Sequence, residues 1–201
     1  YARKGDPEKA LADYAKAIAL DPDFPEAYKQ RGELYLARKD YEKALADFAN
    51  TIRLDPQDPQ AYLQRGALYL AKKEMDKAIG DFSHSLRLDM KNPETWRTRG
   101  YARTMKGDVD KGLRDLNYAV HLAPRSAPAW FCRGYAYFQK GDLDKAIADY
   151  DAAIKLNPKY AEVYYSRAVA YEKKGDKEKA AADYAKAKEL GAKGLDRFIS
   201  I

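Results

Sequence analysis

The side chains best suited to catalysis are few and widely separated in this chain. His84 and His121 are the only histidines, and Cys132 is the only cysteine. Neither histidine has a second histidine or a cysteine at the spacing of zinc ligands, and no histidine base lies in the helix predicted around Cys132. The Lys-Gly-Asp sequence at 106–108 is interpreted as a turn between helices and not as a phosphate-binding loop. We therefore expect no catalytic residue, no metal and no cofactor.

Arginine and aspartate recur together at fixed intervals, and these two side chains are suited to ion pairing. The arginines are Arg31, Arg65, Arg99, Arg133 and Arg167. The aspartates are Asp13, Asp47, Asp81, Asp115, Asp149 and Asp183. A guanidinium can donate two parallel hydrogen bonds to one carboxylate. We predict structural Arg–Asp pairs within or between repeating units; the alternative is a row of arginines that binds an acidic ligand.

These rows belong to a period of 34 residues that runs through the chain. Each arginine precedes a small residue, and the small residues are Gly32, Gly66, Gly100, Gly134 and Ala168. A fixed period of this length is typical of a stacked array, because one repeat alone cannot bury its apolar face. We predict a single array. Its boundaries are 1–24 for a partial repeat, 25–58, 59–92, 93–126, 127–160 and 161–194 for full repeats, and 195–201 for a short C-terminal tail.

Each repeat is predicted to form two helices joined by a short turn. Pro25 and Glu26 suit the first turn of a helix, and the apolar residues that follow are three and four positions apart. An acidic N-cap then opens a second helix, which ends shortly before Pro56. The acidic N-cap recurs at Asp6, Asp40, Glu74, Asp108, Asp142 and Asp176.

Large and small side chains alternate at set offsets within each repeat, so that neighbouring helices can interdigitate. One full set reads Trp130, Gly134, Tyr137, Ala146, Tyr150, Ala153 and Pro158. This set resembles the signature of the tetratricopeptide repeat family, and the resemblance covers nearly the whole chain. It implies an all-α fold, a right-handed superhelical solenoid of antiparallel helix pairs. It also implies a concave face, lined mainly by the first helices, that holds a peptide or a partner's helix.

The first-helix residues that are not used for internal packing should line that concave face. From the second full repeat onward this row is largely apolar and aromatic, and contiguous apolar patches tend to mark binding sites. The predicted groove consists of Leu63, Leu70, Arg97, Tyr101, Phe131, Tyr135, Phe138, Tyr165 and Val169. Arg97 would be a charged anchor among the rings. The alternative is that tight superhelical curvature buries the same side chains as core.

The repeat at 93–126 departs most from the common pattern. Arg103 replaces a tyrosine, Gly112 replaces an alanine, and Leu116 replaces an aromatic residue. Glycine inside a helix costs roughly 1 kcal/mol relative to alanine. We therefore predict that this repeat is the least stable part of the array.

The last repeat also departs from the pattern. Lys188 stands where the earlier repeats carry an aliphatic residue, which suggests that the array ends there. The tail at 195–201 would then fold back as an incomplete cap, because stacked repeats need a polar outer surface for solubility.

The overall charge is modest and mixed. The 37 basic and 31 acidic residues give a net charge of +6, and both signs are dispersed. Nucleic-acid binding favours clustered basic residues beside stacking aromatics, so the composition argues against it, although the basic repeat at 93–126 would suit an acidic partner. No apolar run approaches the ~20 residues needed to cross a bilayer. The single cysteine excludes an internal disulfide and favours a cytoplasmic location without establishing the compartment.

These features predict a non-catalytic scaffold that presents a concave aromatic and apolar groove to a peptide or helical segment of a partner protein. Two alternatives stay open. The chain begins at Tyr1, inside a repeat, so it could be the substrate-recruiting or regulatory domain of a larger enzyme. The incomplete first repeat could also expose an end that stacks on a second copy and forms a homo-oligomer.

Overall fold

The computed structural model describes residues 6–192, and this part of the chain is entirely helical outside its turns. The helices are α1 (Pro7–Leu20), α2 (Pro25–Ala37), α3 (Tyr41–Leu54), α4 (Pro59–Ala71), α5 (Met75–Leu88), α6 (Pro93–Lys106), α7 (Val109–Leu122), α8 (Ala127–Lys140), α9 (Leu143–Leu156), α10 (Ala161–Lys174) and α11 (Lys177–Glu189). Short turns join successive helices into hairpin pairs, from α2 with α3 to α10 with α11. The all-α fold class is confirmed.

Local sequence sets where the helices begin. Asp58 accepts hydrogen bonds from the backbone N–H groups of Gln60, at 2.8 Å, and Ala61, at 3.2 Å, and Pro59 occupies the first turn of α4. Asp40 likewise accepts from the N–H of Lys43 at the start of α3. These side chains satisfy backbone donors that have no partner inside the helix.

The turn after each first helix requires a residue in the left-handed region. In the later repeats this residue is glycine: Gly107, Gly141 and Gly175 have φ values of 97°, 87° and 84°. Lysine occupies the same place in two earlier repeats, where Lys39 and Lys73 have φ values of 62° and 61°. A side chain with a Cβ is disfavoured in this region, so the lysines cost stability that the glycines do not.

The helices of a pair approach closely because a glycine on one faces a large ring on the other. A Cβ placed on Gly134 would lie 2.7 Å from the ring of Tyr150 and 3.1 Å from the carbonyl oxygen of Ala146. Tyr150 and Ala146 are both buried. The same arrangement recurs with Phe48, Phe82 and Leu116 in place of the tyrosine.

The repeat at 93–126 is more tightly packed than its sequence suggests. A Cβ on Gly112 would lie 2.3 Å from Oγ1 of Thr104 and 2.8 Å from the carbonyl oxygen of Gly100. Alanine at this position would therefore collide with α6, and glycine is required by the close approach of α6 and α7. This contact explains why glycine stands here, and the prediction that this repeat is the least stable part of the array stays a prediction.

The chain divides into two compact units, residues 1–90 and residues 91–201. Within the second unit α8 contacts α6 and α10, so that three first helices lie side by side. The single continuous array stays a prediction. The expected cap at 195–201 lies outside the described residues, and Lys188 is exposed. None of the helices formed by residues 6–192 combines the length and apolar character needed to cross a bilayer.

Candidate functional site

The arginine and aspartate rows form structural ion pairs, as predicted. In all five repeats the arginine Nε and Nη2 donate to the two carboxylate oxygens at 2.7–2.9 Å. The pairs are Arg31–Asp47, Arg65–Asp81, Arg99–Asp115, Arg133–Asp149 and Arg167–Asp183. The guanidinium carbon of Arg31 also lies 5.7 Å from the ring centroid of Tyr28 and 5.9 Å from that of Tyr35. The arginines thus join the two helices of each repeat, and the ligand-binding row is not supported.

The nine predicted groove residues fall into two sets. Leu63 and Leu70 lie on α4 in the first unit and are only 6% and 2% exposed. At this exposure both side chains belong to the core, where burial of each stabilises the fold by about 1.5–3 kcal/mol. They offer almost no surface to a partner.

The other seven residues lie on the three adjacent first helices of the second unit, and all are partly exposed. We call this set the aromatic face. It consists of Arg97 and Tyr101 on α6, Phe131, Tyr135 and Phe138 on α8, and Tyr165 and Val169 on α10.

Tyrosine rings connect α6 to α8 within the aromatic face. The ring centroids of Tyr101 and Tyr135 are 5.7 Å apart, and the rings are tilted by 49°. The hydroxyl of Tyr135 donates to Sδ of Met105 on α6 at 3.3 Å. Burial raises the pKa of both tyrosines above the usual value. Their hydroxyls therefore stay neutral and keep their donor capacity at physiological pH.

A further ring, not predicted from the sequence, completes the contact between α8 and α10. Tyr160 precedes α10, and its ring centroid lies 5.4 Å from that of Phe131, which is also 6.0 Å from that of Tyr150. The equivalent position in three other repeats is Asp58, Asn92 or Ser126, each a side-chain N-cap. Comparing the repeats position by position would have identified this substitution of an aromatic residue for a cap.

Arg97 is the cation at the α6 side of the aromatic face. Its Nε donates to Oε2 of Glu94 at 3.1 Å, and its Nη2 also pairs with Glu94. Its Nη1 points at Sγ of the buried Cys132 at 3.6 Å. Burial raises the pKa of this thiol, although Arg97 opposes the shift, so Cys132 stays protonated. A neutral thiol is a weak acceptor and does not neutralise the guanidinium.

The α10 side of the aromatic face carries a second cation. The Nζ of Lys173 lies 4.3 Å from the ring centroid of Phe138, within the range of a cation–π contact. The rings of Tyr165 and Tyr184 meet edge to face at 5.3 Å. The hydroxyl of Tyr184 donates to Oε2 of Glu172 at 2.8 Å. Arg97 and Lys173 thus lie at opposite sides of the aromatic face, each in contact with a side chain of α8.

The two histidines lie apart from this face, on second helices. The ring of His84 stacks on Tyr62 at 4.2 Å, and its Nδ1 is 2.7 Å from Nη2 of Arg87. His121 is exposed, and its ring centroid is 6.2 Å from that of Tyr118. Both imidazoles contact side chains of the helical surface and neither approaches Cys132 within the contacts that the structure describes.

Paired helices with a 34-residue period define this chain as a helical-repeat protein. Models described as "Tetratricopeptide repeat" match residues 1–68 and, separately, residues 59–92 and 161–190. A model described as "TPR repeat" matches residues 134–175. The chain belongs to the tetratricopeptide repeat family. These ranges leave out 93–133, which begins with the repeat that departs most from the pattern.

Solved structures of similar fold are also tetratricopeptide repeat (TPR) proteins or their relatives. YrrB, described as a TPR protein with an unusual peptide-binding site, is 26% identical, with 89% of this chain and 92% of that chain covered and a TM-score of 0.69. MamA is 25% identical, with 88% and 97% covered and a TM-score of 0.69. A TPR protein from Parabacteroides merdae is 27% identical, with 94% and 74% covered and a TM-score of 0.73. No curated protein matches the sequence.

Proposed function

We propose that the second unit binds a peptide or helical segment of a partner protein on its aromatic face, and that the chain is a non-catalytic interaction module. The observation that carries this proposal is the set of partly exposed rings on three adjacent first helices. Solvated helical surfaces are normally covered by charged side chains, and contiguous apolar patches mark interaction sites. The face would be the inner wall of the concave groove that the family resemblance implies.

The composition of the face suits recognition of a protein segment. Tyrosine and arginine are enriched among the residues that dominate binding energy at interfaces. An aromatic ring offers a large contact area and loses little rotamer entropy when it is immobilised. The hydroxyl of Tyr135 donates to the thioether of Met105, a weak acceptor that a backbone carbonyl of a bound segment would replace. The peptide-binding site named for YrrB supports the same use of this fold.

The non-catalytic part of the proposal rests on the environment of the groups best suited to chemistry. Cys132 is buried, and its raised pKa keeps the nucleophilic thiolate scarce. His84 is stacked on a tyrosine and held next to an arginine. Neither group is therefore arranged as an activated nucleophile or as its base.

The decisive experiment compares binding by matched aromatic variants. Fifteen-residue peptides selected from a displayed random library, about the length needed to cross three helices, would be labelled and titrated by fluorescence anisotropy. Tyr135→Ala and Phe138→Ala should each weaken binding at least roughly tenfold, because truncating a hot-spot ring costs about 2 kcal/mol or more of binding free energy. Tyr118→Ala removes a ring that is 43% exposed on α7, outside the face, and should leave affinity within about twofold.

Thermal unfolding of each variant provides the control for folding. Phe138 packs against buried residues of the core, so its variant also loses some stability, whereas Tyr135 is absent from those core clusters. Selected peptides that bind Tyr135→Ala and the unmodified protein equally well would show that the aromatic face is not the binding site.

A further inference from the structure

The net positive charge of this chain arises in the unit that carries the aromatic face. Residues 1–90 contain 15 basic and 16 acidic residues, a net charge of −1. Residues 91–201 contain 22 basic and 15 acidic residues, a net charge of +7, and the two values sum to the +6 of the whole chain. A partner that approaches the aromatic face therefore meets a positive field, which favours an acidic partner.

Many cations of the second unit are engaged in ion pairs away from the aromatic face. Arg99, Arg133 and Arg167 are held by buried aspartates, and Arg103 donates to Oδ2 of Asp115 at 2.7 Å. Lysines near the helix ends pair with acids of neighbouring helices, as Lys140 does with Asp110 at 2.7 Å. The cations that contact residues of the face are Arg97 and Lys173.

Arg97 retains donor capacity for a second carboxylate. Glu94 accepts from its Nε and Nη2, which leaves Nη1 directed at the thiol of Cys132 at 3.6 Å. A carboxylate oxygen is a far better acceptor than a thiol, and its hydrogen bond with a guanidinium is charge-assisted. An acidic side chain that reached Nη1 would replace a weak contact with a strong one.

Two of the acids beside the face are held by groups of the protein, whereas a third, Glu162, is exposed on α10 near Tyr160 and would oppose an acidic residue there. Glu94 accepts from Arg97, and Glu172 accepts from the hydroxyl of Tyr184. Lys173, by contrast, lies on the ring of Phe138. A cation over a ring keeps its charge, because the ring offers only a quadrupole. Arg97 on α6 and Lys173 on α10 thus flank the rings. Glu94 offsets part of the charge of Arg97, whereas Lys173 contacts a ring and no carboxylate among the contacts that the structure describes.

We infer that the aromatic face binds an acidic protein segment, in which an Asp or Glu side chain pairs with Arg97 and a neighbouring aromatic or aliphatic side chain packs on Tyr101 and Tyr135. This inference rests on the proposed function and specifies its partner. A second acidic residue further along the segment would meet Lys173 on α10.

The arrangement favours a peptide over a nucleic acid. A nucleic acid presents a charge at every phosphate, and its affinity depends on many cations along the backbone track. The face has Arg97, which is paired with Glu94, and Lys173 on separate helices, and the arginine row of the same unit is held by aspartates, so no track of cations follows the face. An acidic peptide, in which single carboxylates alternate with apolar side chains, fits a face on which two cations are separated by rings.

The test uses defined peptides in matched triplets. Each triplet is a labelled twelve-residue peptide with alternating Leu or Trp and Asp, the same peptide with Asn for Asp, and the same peptide with Lys for Asp, a length of about 18 Å if helical. The acidic member should bind at least roughly tenfold more tightly than the Asn member, and added salt should reduce this difference. Equal affinity for the acidic and Asn members would overturn the inference.

Two charge variants locate the effect. Arg97→Gln should reduce the preference for Asp over Asn to within about twofold, because the charge-assisted hydrogen bond is lost. Lys155→Gln makes the same change in net charge at an exposed position on α9 and should leave the preference intact. If Arg97→Gln lowers the unfolding temperature, Lys173→Gln, at an exposed position, serves as the second variant and should weaken the acidic peptide alone. If neither Arg97→Gln nor Lys173→Gln changes the preference for the Asp peptide over the Asn peptide, the inference is contradicted.

The same titrations distinguish failure of this inference from failure of the proposed function. If all three peptides bind equally well and Tyr135→Ala abolishes their binding, the acidic partner is refuted and the peptide site is retained. Peptide binding that Tyr135→Ala leaves unchanged would refute both. A twelve-nucleotide single-stranded RNA that binds more tightly than every peptide, and loses affinity with Arg97→Gln and Tyr135→Ala, would also overturn the inference, in favour of nucleic acid.

Discussion

Replacing Gly112 with alanine should destabilise the second unit, although alanine is the better helix former. Gly112 lies within α7, where its backbone touches α6. A Cβ there would lie 2.3 Å from Oγ1 of Thr104 and 2.8 Å from the carbonyl oxygen of Gly100. Thr104 is buried, and its hydroxyl donates to the same carbonyl at 2.9 Å. The threonine can therefore make room only by losing that hydrogen bond.

The magnitude follows from three opposing contributions. Alanine gains about 1 kcal/mol of helix propensity over glycine. Overpacking of a close-packed contact costs typically about 1–3 kcal/mol, and loss of the hydroxyl hydrogen bond adds about 1 kcal/mol. The packing loss exceeds the propensity gain, so Gly112→Ala should reduce the free energy of unfolding by about 1–3 kcal/mol.

Urea unfolding followed by tryptophan fluorescence measures this change in the relevant unit, since both tryptophans, Trp96 and Trp130, lie within residues 91–201. Gly80→Ala is the matched control, because a Cβ on Gly80 in α5 would meet nothing within 4 Å. The free energy of unfolding of that variant, measured by circular dichroism, should rise by about 0.5–1 kcal/mol. In a Thr104→Ala background, Gly112→Ala should cost less than in the unmodified protein. A Gly112→Ala protein as stabilised as Gly80→Ala would refute the packing argument.

The remaining predictions concern ion pairs, a turn and a tyrosine. Asp115→Ala should reduce the free energy of unfolding by about 3–5 kcal/mol, which is roughly 1 kcal/mol more than Asp149→Ala. The difference arises because Asp115 accepts from both Arg99 and Arg103, whereas Asp149 is paired with Arg133. Equal losses in urea unfolding would contradict this. Lys73→Gly should raise the free energy of unfolding by about 0.5–1 kcal/mol, since φ is 61° at this residue. Urea unfolding followed by circular dichroism measures this change, and a loss of stability would show that the turn is not strained. Burial raises the pKa of Tyr160 to about 12, above the usual value of about 10, so the neutral ring stabilises the fold fully below pH ~10. That contribution should disappear as the pH rises from about 10 to 12, and Tyr160→Phe should flatten the fall in urea midpoint over this range.

The helices and the ion pairs of this chain could be read from its sequence, because both depend on regularities along the chain. The helical period and caps such as Asp58 involve residues only a few positions apart. A helix can therefore form from them wherever it lies in the fold, as the hydrogen bonds from Gln60 and Ala61 to Asp58 show. The repeated spacing of Arg133 and Asp149 brings the two groups together once the hairpin forms. All seven residues of the aromatic face were predicted by stepping along the first helices, and their role in binding stays a prediction.

The tertiary structure decided which of these side chains stay accessible and how closely the helices approach. Leu63 and Leu70 satisfy the same spacing rule as Tyr135, yet both are buried, because burial depends on neighbours distant in sequence. Helix propensity alone disfavours Gly112, whereas α6 lies so close that a Cβ at this position would come within 3 Å of it. The place of Tyr160 against Phe131 also depends on packing between repeats. A periodic sequence therefore determines the elements and their pairing, but the distances between packed surfaces arise only when all the side chains are in place, since close packing is a property of the whole assembly of side chains.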